Sequence, residues 1–356
     1  MAEQTHRFRP TVCLILPCKG PEPGLERNIE AALRQEYDNY HLTVVTDSEQ
    51  DPAYRTARAV LSRNPEKHSR LCTSEGSENA SGKVGALLTA LDDEGGRPEV
   101  YAFLDSDSLI PSTWLRELVD PLKEDSIGAT TGFRWYFPAD GGFWSYVEAE
   151  WNAAGTNILF SNRYNFPWGG ATAIRAETLD RINIRDIWSE AVSDDMSLNS
   201  ALKNKGYMIR FLPQCTTATF ADNNLQHFLS WAIRQTILTR VYNHSLWRYA
   251  TVAYSFFDLT SVLGIITAGL CVLFSSSWLL PSVLLLSPTL LGPFRSLHRN
   301  STFKRAMPQF REKFEKAAYK QAIASLIVPW VMTYCIIKSS RSREIEWRGR
   351  KYMLPE

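Results

Sequence analysis

Short apolar runs alternate with amphipathic stretches along the first hundred residues. Residues 11–16 (TVCLIL) are β-branched and apolar and are stopped by Pro17, the pattern of a buried strand. After a Gly/Pro-rich turn at 19–24, Leu25, Ile29, Ala32 and Leu33 recur at helical spacing. A second strand is predicted at 41–46, ending at Asp47-Ser48. Helices follow at 52–63 and 82–91, then a third strand at 100–104. Alternating strands and helices predict an α/β sheet covered on both faces, in which ligands bind beyond the carboxyl ends of the strands. Asp47 and the triplet Asp105-Ser106-Asp107 stand at those ends.

The pattern changes after Arg248. Residues 249–294 carry one charge, Asp258. At about 20 residues per crossing, this stretch predicts two transmembrane helices with a break near Ser275, Ser277 and Pro281. A third uncharged run, 321–337, is shorter and contains Pro329. It is expected to be re-entrant or interfacial, with the basic tail after it left on the cytoplasmic side. Between these runs lies a basic segment, 295–320, in which Phe303, Met307, Phe310 and Phe314 recur at three- to four-residue steps. That spacing predicts an amphipathic helix on anionic headgroups, with a merely solvated helix as the alternative. Two domains are expected: a catalytic domain at 1–245 and a membrane domain at 246–356.

Composition narrows the choice. Of the 356 residues 44% are hydrophobic and 22% charged, which excludes dominant disorder. Lys+Arg 39 against Asp+Glu 38 gives a net charge of +1, and this argues against a bulk nucleic-acid binder. The six cysteines show no C-x-x-C pair and the six histidines no H-E-x-x-H, so neither a disulfide framework nor a zinc site is expected. The polar residues 1–9 lead straight into a strand with no signal peptide ahead of it, and a reducing, cytosolic setting fits. Aromatic residues crowd 135–168, consistent with core and interface packing or with a binding wall. Phe166-Pro-Trp-Gly-Gly170 reads as a rigid turn followed by two residues that let backbone approach a ligand.

Three motifs bear on chemistry. The stretch from Gly76 to Gly82-Lys83-Val84 imitates a P-loop, but it has five residues between its glycines and Val84 where a hydroxyl is needed. Nucleotide hydrolysis through such a motif is excluded. Asp105-Ser-Asp107 directly ends an apolar strand, where two carboxylates can hold a hard divalent cation against a diphosphate. Asp194-Asp195 precedes a predicted helix at 196–203. Ser193 or Asp194 suits its N-cap, which leaves one carboxylate for other work, such as taking a proton from an acceptor hydroxyl.

In order and spacing, these pieces resemble a family 2 glycosyltransferase of the GT-A type, closest to the ceramide glucosyltransferase-like group. The likeness covers residues 11–242 and rests on Pro17-Cys-Lys-Gly20, Asp47 in TDSEQDPA and Lys83 in NASGKVG, together with the DSD, the SDD at 193–195 and Trp231-Ala-Ile-Arg234-Gln235. The resemblance implies that Asp47 holds the nucleotide base, that Asp105 and Asp107 bind ribose and a metal-diphosphate, and that Asp195 is the catalytic base. Lys83 and Arg234 are expected on the nucleotide sugar, and Asp194, Trp231 and Gln235 in the acceptor signature. The family's closing Q/R-x-x-R-W is not kept intact: Trp231 and Gln235 replace its first and last residues. A divalent cation, Mn²⁺ or Mg²⁺, is implied. So is an integral membrane enzyme that inverts at one sugar, passing it from a UDP-linked donor to a lipid at the cytoplasmic face. A processive polysaccharide synthase and a non-catalytic membrane scaffold are the alternatives.

Overall fold

The computed structural model describes residues 8–74, 80–92, 97–139, 141–274 and 279–354. Its strands are β1 (Val12–Cys18), β2 (Tyr40–Thr46), β3 (Ser69–Thr73), β4 (Val100–Leu104), β5 (Ile127–Thr131), β6 (Arg134–Phe137), β7 (Ala171–Arg175), β8 (Met208–Phe211), β9 (Thr217–Phe220), β10 (Glu344–Trp347) and β11 (Arg350–Met353). Seven of them form one sheet in the order β3-β2-β1-β4-β7-β5-β8, while β6 pairs with β9 and β10 with β11. The chain separates into two compact units. One holds Met1–Trp135 and Asn157–Thr219, the other Tyr136–Thr156 and Phe220–Glu356. The boundary expected at 245/246 therefore falls inside the second unit. That unit takes in helices Phe143–Ala154 and Leu225–Tyr242 because both bury aromatic and apolar faces there: Tyr146, Val147, Phe228 and Trp231 share a core with Val328 and Val331.

In the first unit the α/β expectation is met. β1 runs parallel to β2 and β4, and β2 parallel to β3. β7 lies antiparallel to β4 and β5, so the sheet is mixed. Alternate residues of each strand feed opposite faces. Leu14, Leu16, Val44 and Leu104 join Ile29 and Trp114 in one core, while Cys13, Ile15, Val45 and Phe103 join Leu87 and Trp188 in the other. From β1 the chain builds outward to β2 and β3, then returns to add β4 on the other side. β1 and β4 thus flank the switch point at which α/β sheets open a ligand crevice. The predicted strands stop at 104, so β5, β7 and β8 of the sheet were not foreseen. Before β4 the prediction also lacked β3, whose sequence SRLCT has little apolar content. It lies at the sheet edge, partly exposed, where such content is not demanded.

The second unit is helical. His244–Phe274 and Leu279–Leu290 pack together as a hairpin, with the predicted break at Ser275 and Ser277 outside the described residues. Gly264 allows close approach: a Cβ there would lie 2.6 Å from Leu286 Cγ. Among the described residues only His244–Phe274 is by itself long and apolar enough to cross a membrane. Of the expected second crossing, the described residues give a helix too short to span by itself. Leu279–Leu290 has 12 residues, roughly 18 Å, and a new helix begins at Gly292-Pro293. The basic segment is two helices, Gly292–Ala306 and Arg311–Ala324, rather than one amphipathic helix. Phe303, Met307 and Phe314 are buried, and Phe310 meets Phe137 and Phe220, so protein covers the apolar positions expected to face headgroups. The third run also departs from a single segment. Pro329 occupies the first turn of a separate helix, Val328–Ser339, where its missing N–H costs no helical bond. The axes of the two helical stretches, Pro308–Ala324 and Val328–Ser339, bend by 65°.

Candidate active site

The ends of β1, β2 and β4 carry the polar residues expected of the crevice. Past β1, Gly20 adopts φ +70°, and its N–H donates to Asp51 Oδ1 at 2.8 Å. The same oxygen accepts from Ala53 N and caps helix Pro52–Ser62, so the Lys19-Gly20 turn and the loop after β2 are tied together. Lys19 forms an ion pair with Asp47. Past β4, the Asp105-Ser-Asp107 turn is held by its backbone: Asn28 Nδ2 donates to the Ser106 carbonyl at 2.8 Å and Thr219 Oγ1 to the Asp107 carbonyl at 3.0 Å. Such bonds fix the two carboxylates without consuming their oxygens.

Lys83 joins the two acidic motifs. Ser81 caps helix Gly82–Leu91, so Lys83 stands in its first turn, where the helix dipole disfavours a cation. Two carboxylates outweigh that cost. Lys83 Nζ lies 2.8 Å from Asp105 Oδ1 and 2.9 Å from Asp194 Oδ2. Burial pulls the ammonium down, but Asp105 and Asp194 more than reverse this and hold it well above its ordinary value. Burial raises the Asp194 carboxyl to about 6 against the pull of Lys83, with Asp195 and Asp105 pushing the same way. Ser193 caps helix Asp194–Asn204, and Asp195 Oδ1 accepts from Ser193 Oγ and, at 2.7 Å, from Met196 N. Asp194 is thus the ion-paired, buried member of the pair and Asp195 the more open one.

The glycines after Trp168 are required by this cluster. A Cβ on Gly169 would sit 2.0 Å from Asp194 Oδ2, and one on Gly170 2.4 Å from Asp105 Oδ2. The close backbone approach read from Phe166-Pro-Trp-Gly-Gly170 is therefore present, with the carboxylates themselves as neighbours. Trp168 lies beneath Arg134, whose guanidinium is 5.1 Å from the ring centre and 2.7 Å from Asp107 Oδ2.

Asp107 Oδ1 is buried and has no hydrogen-bond partner. Asp105 stands two residues before it at the same strand end, so two carboxylates lie together at the mouth of the crevice. That donor set suits a divalent cation, and Asp107 with Asp105 would hold it. Among the described residues no three carboxylate, histidine or cysteine side chains converge as a complete metal cage. A cation here would share its shell with substrate oxygens, as hard divalent cations in phosphate sites do.

The structure brings together Asp105, Asp107, Lys83, Asp194 and Asp195, and sets Asp47 at the end of β2, with β1 between it and β4. Trp231, Arg234 and Gln235 belong to helix Leu225–Tyr242 of the other unit. Trp231 is buried among aromatic rings, 5.0 Å from Trp151 and 5.7 Å from Tyr136. Arg234 stacks 5.7 Å from the ring centre of Trp347 and donates to the Glu346 carbonyl at 3.4 Å. Sequence reasoning missed Arg134, Asp51 and Asn28. Only the folded chain, with β6 paired to β9, brings Arg134 to Asp107, and no local pattern marks it; Asp51, just ahead of Pro52, carried a readable capping signal.

A family model described as glycosyl transferase family 21 matches residues 1–356. Among solved structures, the chain is similar to the mannosyltransferase PcManGT from Pyrobaculum calidifontis in complex with GDP-Man and Mn²⁺, at 19% identity and a TM-score of 0.48, over 90% of this chain and 87% of that one. It is also similar to glucosyl-3-phosphoglycerate synthase from Mycobacterium tuberculosis in complex with Mn²⁺, UDP-glucose and glycerol 3-phosphate, at 16% identity and a TM-score of 0.42, over 65% and 80% of the two chains. A third, GalNAc-T7 with UDP, GalNAc and Mn²⁺, shares 11% identity with a TM-score of 0.45, over 70% and 51%.

Proposed function

The chain belongs to glycosyl transferase family 21, and from that premise we propose that it moves one sugar from a UDP-linked donor, glucose or similar, to a lipid hydroxyl at the cytoplasmic face of a membrane. The motifs resemble family 2 while the matching model is family 21; the GT-A arrangement and the ceramide glucosyltransferase likeness stay within the proposal. The observation that carries the donor side is the acidic cluster at the switch point, with its buried, unpartnered Asp107 oxygen.

On this reading Asp47, oriented by Lys19, receives the nucleotide base, and Asp105 meets the ribose. Asp107 and Asp105 hold a divalent cation, Mn²⁺ or Mg²⁺, which when bound offsets charge on the departing diphosphate. Lys83 keeps Asp105 and Asp194 in place and neutralises part of their repulsion. Asp195 is the general base. Ser193 and the Met196 N–H fix one of its oxygens, and the carboxylate takes the acceptor hydroxyl's proton as that oxygen attacks the anomeric carbon. One displacement inverts the anomeric configuration.

The membrane part of the proposal rests on the hairpin surface. Val252, Phe256, Ile265, Val272 and Leu280 are more than half exposed, far more contiguous apolar surface than a water-soluble fold shows. Polar groups point inward instead: Ser261 bonds Thr289 at 2.6 Å and Ser282 bonds Thr267 at 2.9 Å across the two helices, as in lipid-embedded pairs. The basic residues 295–320 and the basic tail are placed on the cytoplasmic side by the positive-inside tendency. The test is to incubate the full-length protein in membranes with a panel of labelled nucleotide sugars and a lipid extract, then read products by mass and anomeric configuration. A lipid carrying one inverted sugar is expected. A polymer, a retained anomer, or transfer undiminished by chelator would overturn the reading.

A further inference from the structure

The helical unit contains a second buried carboxylate whose treatment differs from all others near it. Asp258, the single charge of 249–294, is 9% exposed although its neighbours Phe256 and Leu259 face outward at 63% and 57%. It points into the unit, on the same face as Ser261 and Gly264. Neither of its oxygens has a hydrogen-bond partner. Across from it, helix Val328–Ser339 packs on His244–Phe274 and brings Thr333 to the edge of hydrogen-bonding reach of Asp258, a contact too weak to satisfy either group.

The other buried acidic and hydroxyl groups around the helices have partners. Glu150 accepts from Arg299 and, at 2.8 Å, from Ser296, and the hairpin hydroxyls bond one another. An unmatched buried carboxylate costs free energy that a merely structural role does not repay. Such a residue within an apolar helix marks a functional site.

We infer that Asp258 and Thr333 form a seat for a hydrogen-bond-donating head group of a lipid, and, resting on the function proposed above, that this lipid is the sugar acceptor. The chemistry restricts the head group. An ionised carboxylate only accepts, so the ligand must present a hydroxyl or amide N–H, and Thr333 can add one donated or accepted bond. An anionic phosphate head is disfavoured, because the seat offers a carboxylate and a hydroxyl. The site therefore takes an uncharged, hydroxyl-bearing lipid that arrives through the apolar surface of the helices.

The experiment uses the full chain in phosphatidylcholine nanodiscs, with dioctanoylglycerol and N-octanoyl dihydrosphingosine as probes. Asp258→Leu should raise the Tm of the probe-free protein, abolish the stabilisation that a probe gives the wild type, and raise KM for that probe about 10- to 100-fold, the range for a hydrogen bond to a charged group, with kcat and UDP affinity held. Thr333→Val should move KM in the same direction by about two- to tenfold. If Asp258→Leu does not fold, the isosteric Asp258→Asn carries the test, with a several-fold rise in KM expected. A lower Tm together with an intact probe response would make Asp258 a structural partner of Thr333 and overturn the seat. So would a wild type that binds neither probe. Failure of sugar transfer to any lipid, with probe binding intact and lost in Asp258→Leu, would instead overturn the proposed acceptor while leaving the seat standing.

Discussion

The two units treat charge in opposite ways. In the first, charges gather at the strand ends, half-buried and paired: Lys83 with Asp105 and Asp194, Arg134 with Asp107, Lys19 with Asp47. The apolar residues of that unit are hidden on both faces of the sheet. In the second, apolar side chains face outward along His244–Phe274 and Leu279–Leu290, and the few polar groups are folded inside. Substitutions at the first unit's cluster should therefore be felt in chemistry, and those at the second unit's buried ion pair in stability.

Asp195→Asn probes the first half of that contrast most sharply. It keeps size and the bond from Met196 N but cannot take a proton, so turnover should fall about 10²–10⁴-fold while UDP affinity and Tm hold. Near-normal turnover, with Asp194→Asn inactive instead, would give the base role to Asp194. Gly170→Ala should come next. Its Cβ would lie 2.3 Å from Trp168 Cη2 and 2.4 Å from Asp105 Oδ2, so ring, carboxylate or backbone must shift, and a misplacement of this order costs about 10²-fold in turnover. An alanine enzyme with unchanged kcat and metal response would show that Asp105 need not stay where it is.

Glu150 and Arg299 test the second half. Arg299→Met leaves Glu150 buried without its cation and should destabilise by about 3–5 kcal/mol, whereas replacing both partners with apolar residues of similar volume should be close to neutral. Denaturant unfolding in detergent reads both, and equal losses in the single and double variants would refute it. The pH dependence follows from the direction of the shift. Burial lifts the Glu150 carboxyl above its ordinary 4.5, with Arg299 and Ser296 pulling back, so the folded chain holds that proton more tightly than the unfolded one. Its contribution is full below about pH 4.5 and is lost as pH rises through the raised value. Glu150→Gln should remove that slope; an unchanged profile would mean that the group does not titrate on unfolding.

Much of the first unit was legible in the sequence because local pattern and global role coincide there. TVCLIL, HLTVVT and VYAFL are apolar enough to be central strands, and each central strand end carries its polar group within a few residues. The edge strand β3 escaped because an edge makes weaker demands on composition. Arg134 escaped because its pairing with Asp107 exists only once β9, the partner of β6, is bridged to the segment after β4. In the second unit, the apolar outer surface was readable, but helix ends were not. Gly292-Pro293 and Val328-Pro329 start new helices where an uncharged run suggests continuity, and the Phe303, Met307 and Phe314 stripe has the same spacing whether protein or lipid covers it. Periodicity identifies a face and not its partner.

Arg234 is where the two units' rules give opposite forecasts, and the expected effect is the smallest. As a diphosphate ligand it would follow the first unit: lysine cannot reproduce a bidentate guanidinium, and UDP affinity and turnover would both fall clearly. The geometry puts it with Trp347 and the Glu346 carbonyl, an arrangement that fastens the C-terminal hairpin β10–β11 to helix Leu225–Tyr242. A stacked cation at a partly exposed site is worth about 0.5–1 kcal/mol. Arg234→Lys retains the charge and part of that contact, so Tm should drop by no more than a few degrees, with UDP affinity unchanged. Trp347→Leu should reproduce the same small loss, and the two substitutions together should be less than additive, since each removes one side of a single contact. Full additivity combined with a weakened UDP affinity in Arg234→Lys would return this arginine to the donor site and show that the helical unit, too, carries chemistry.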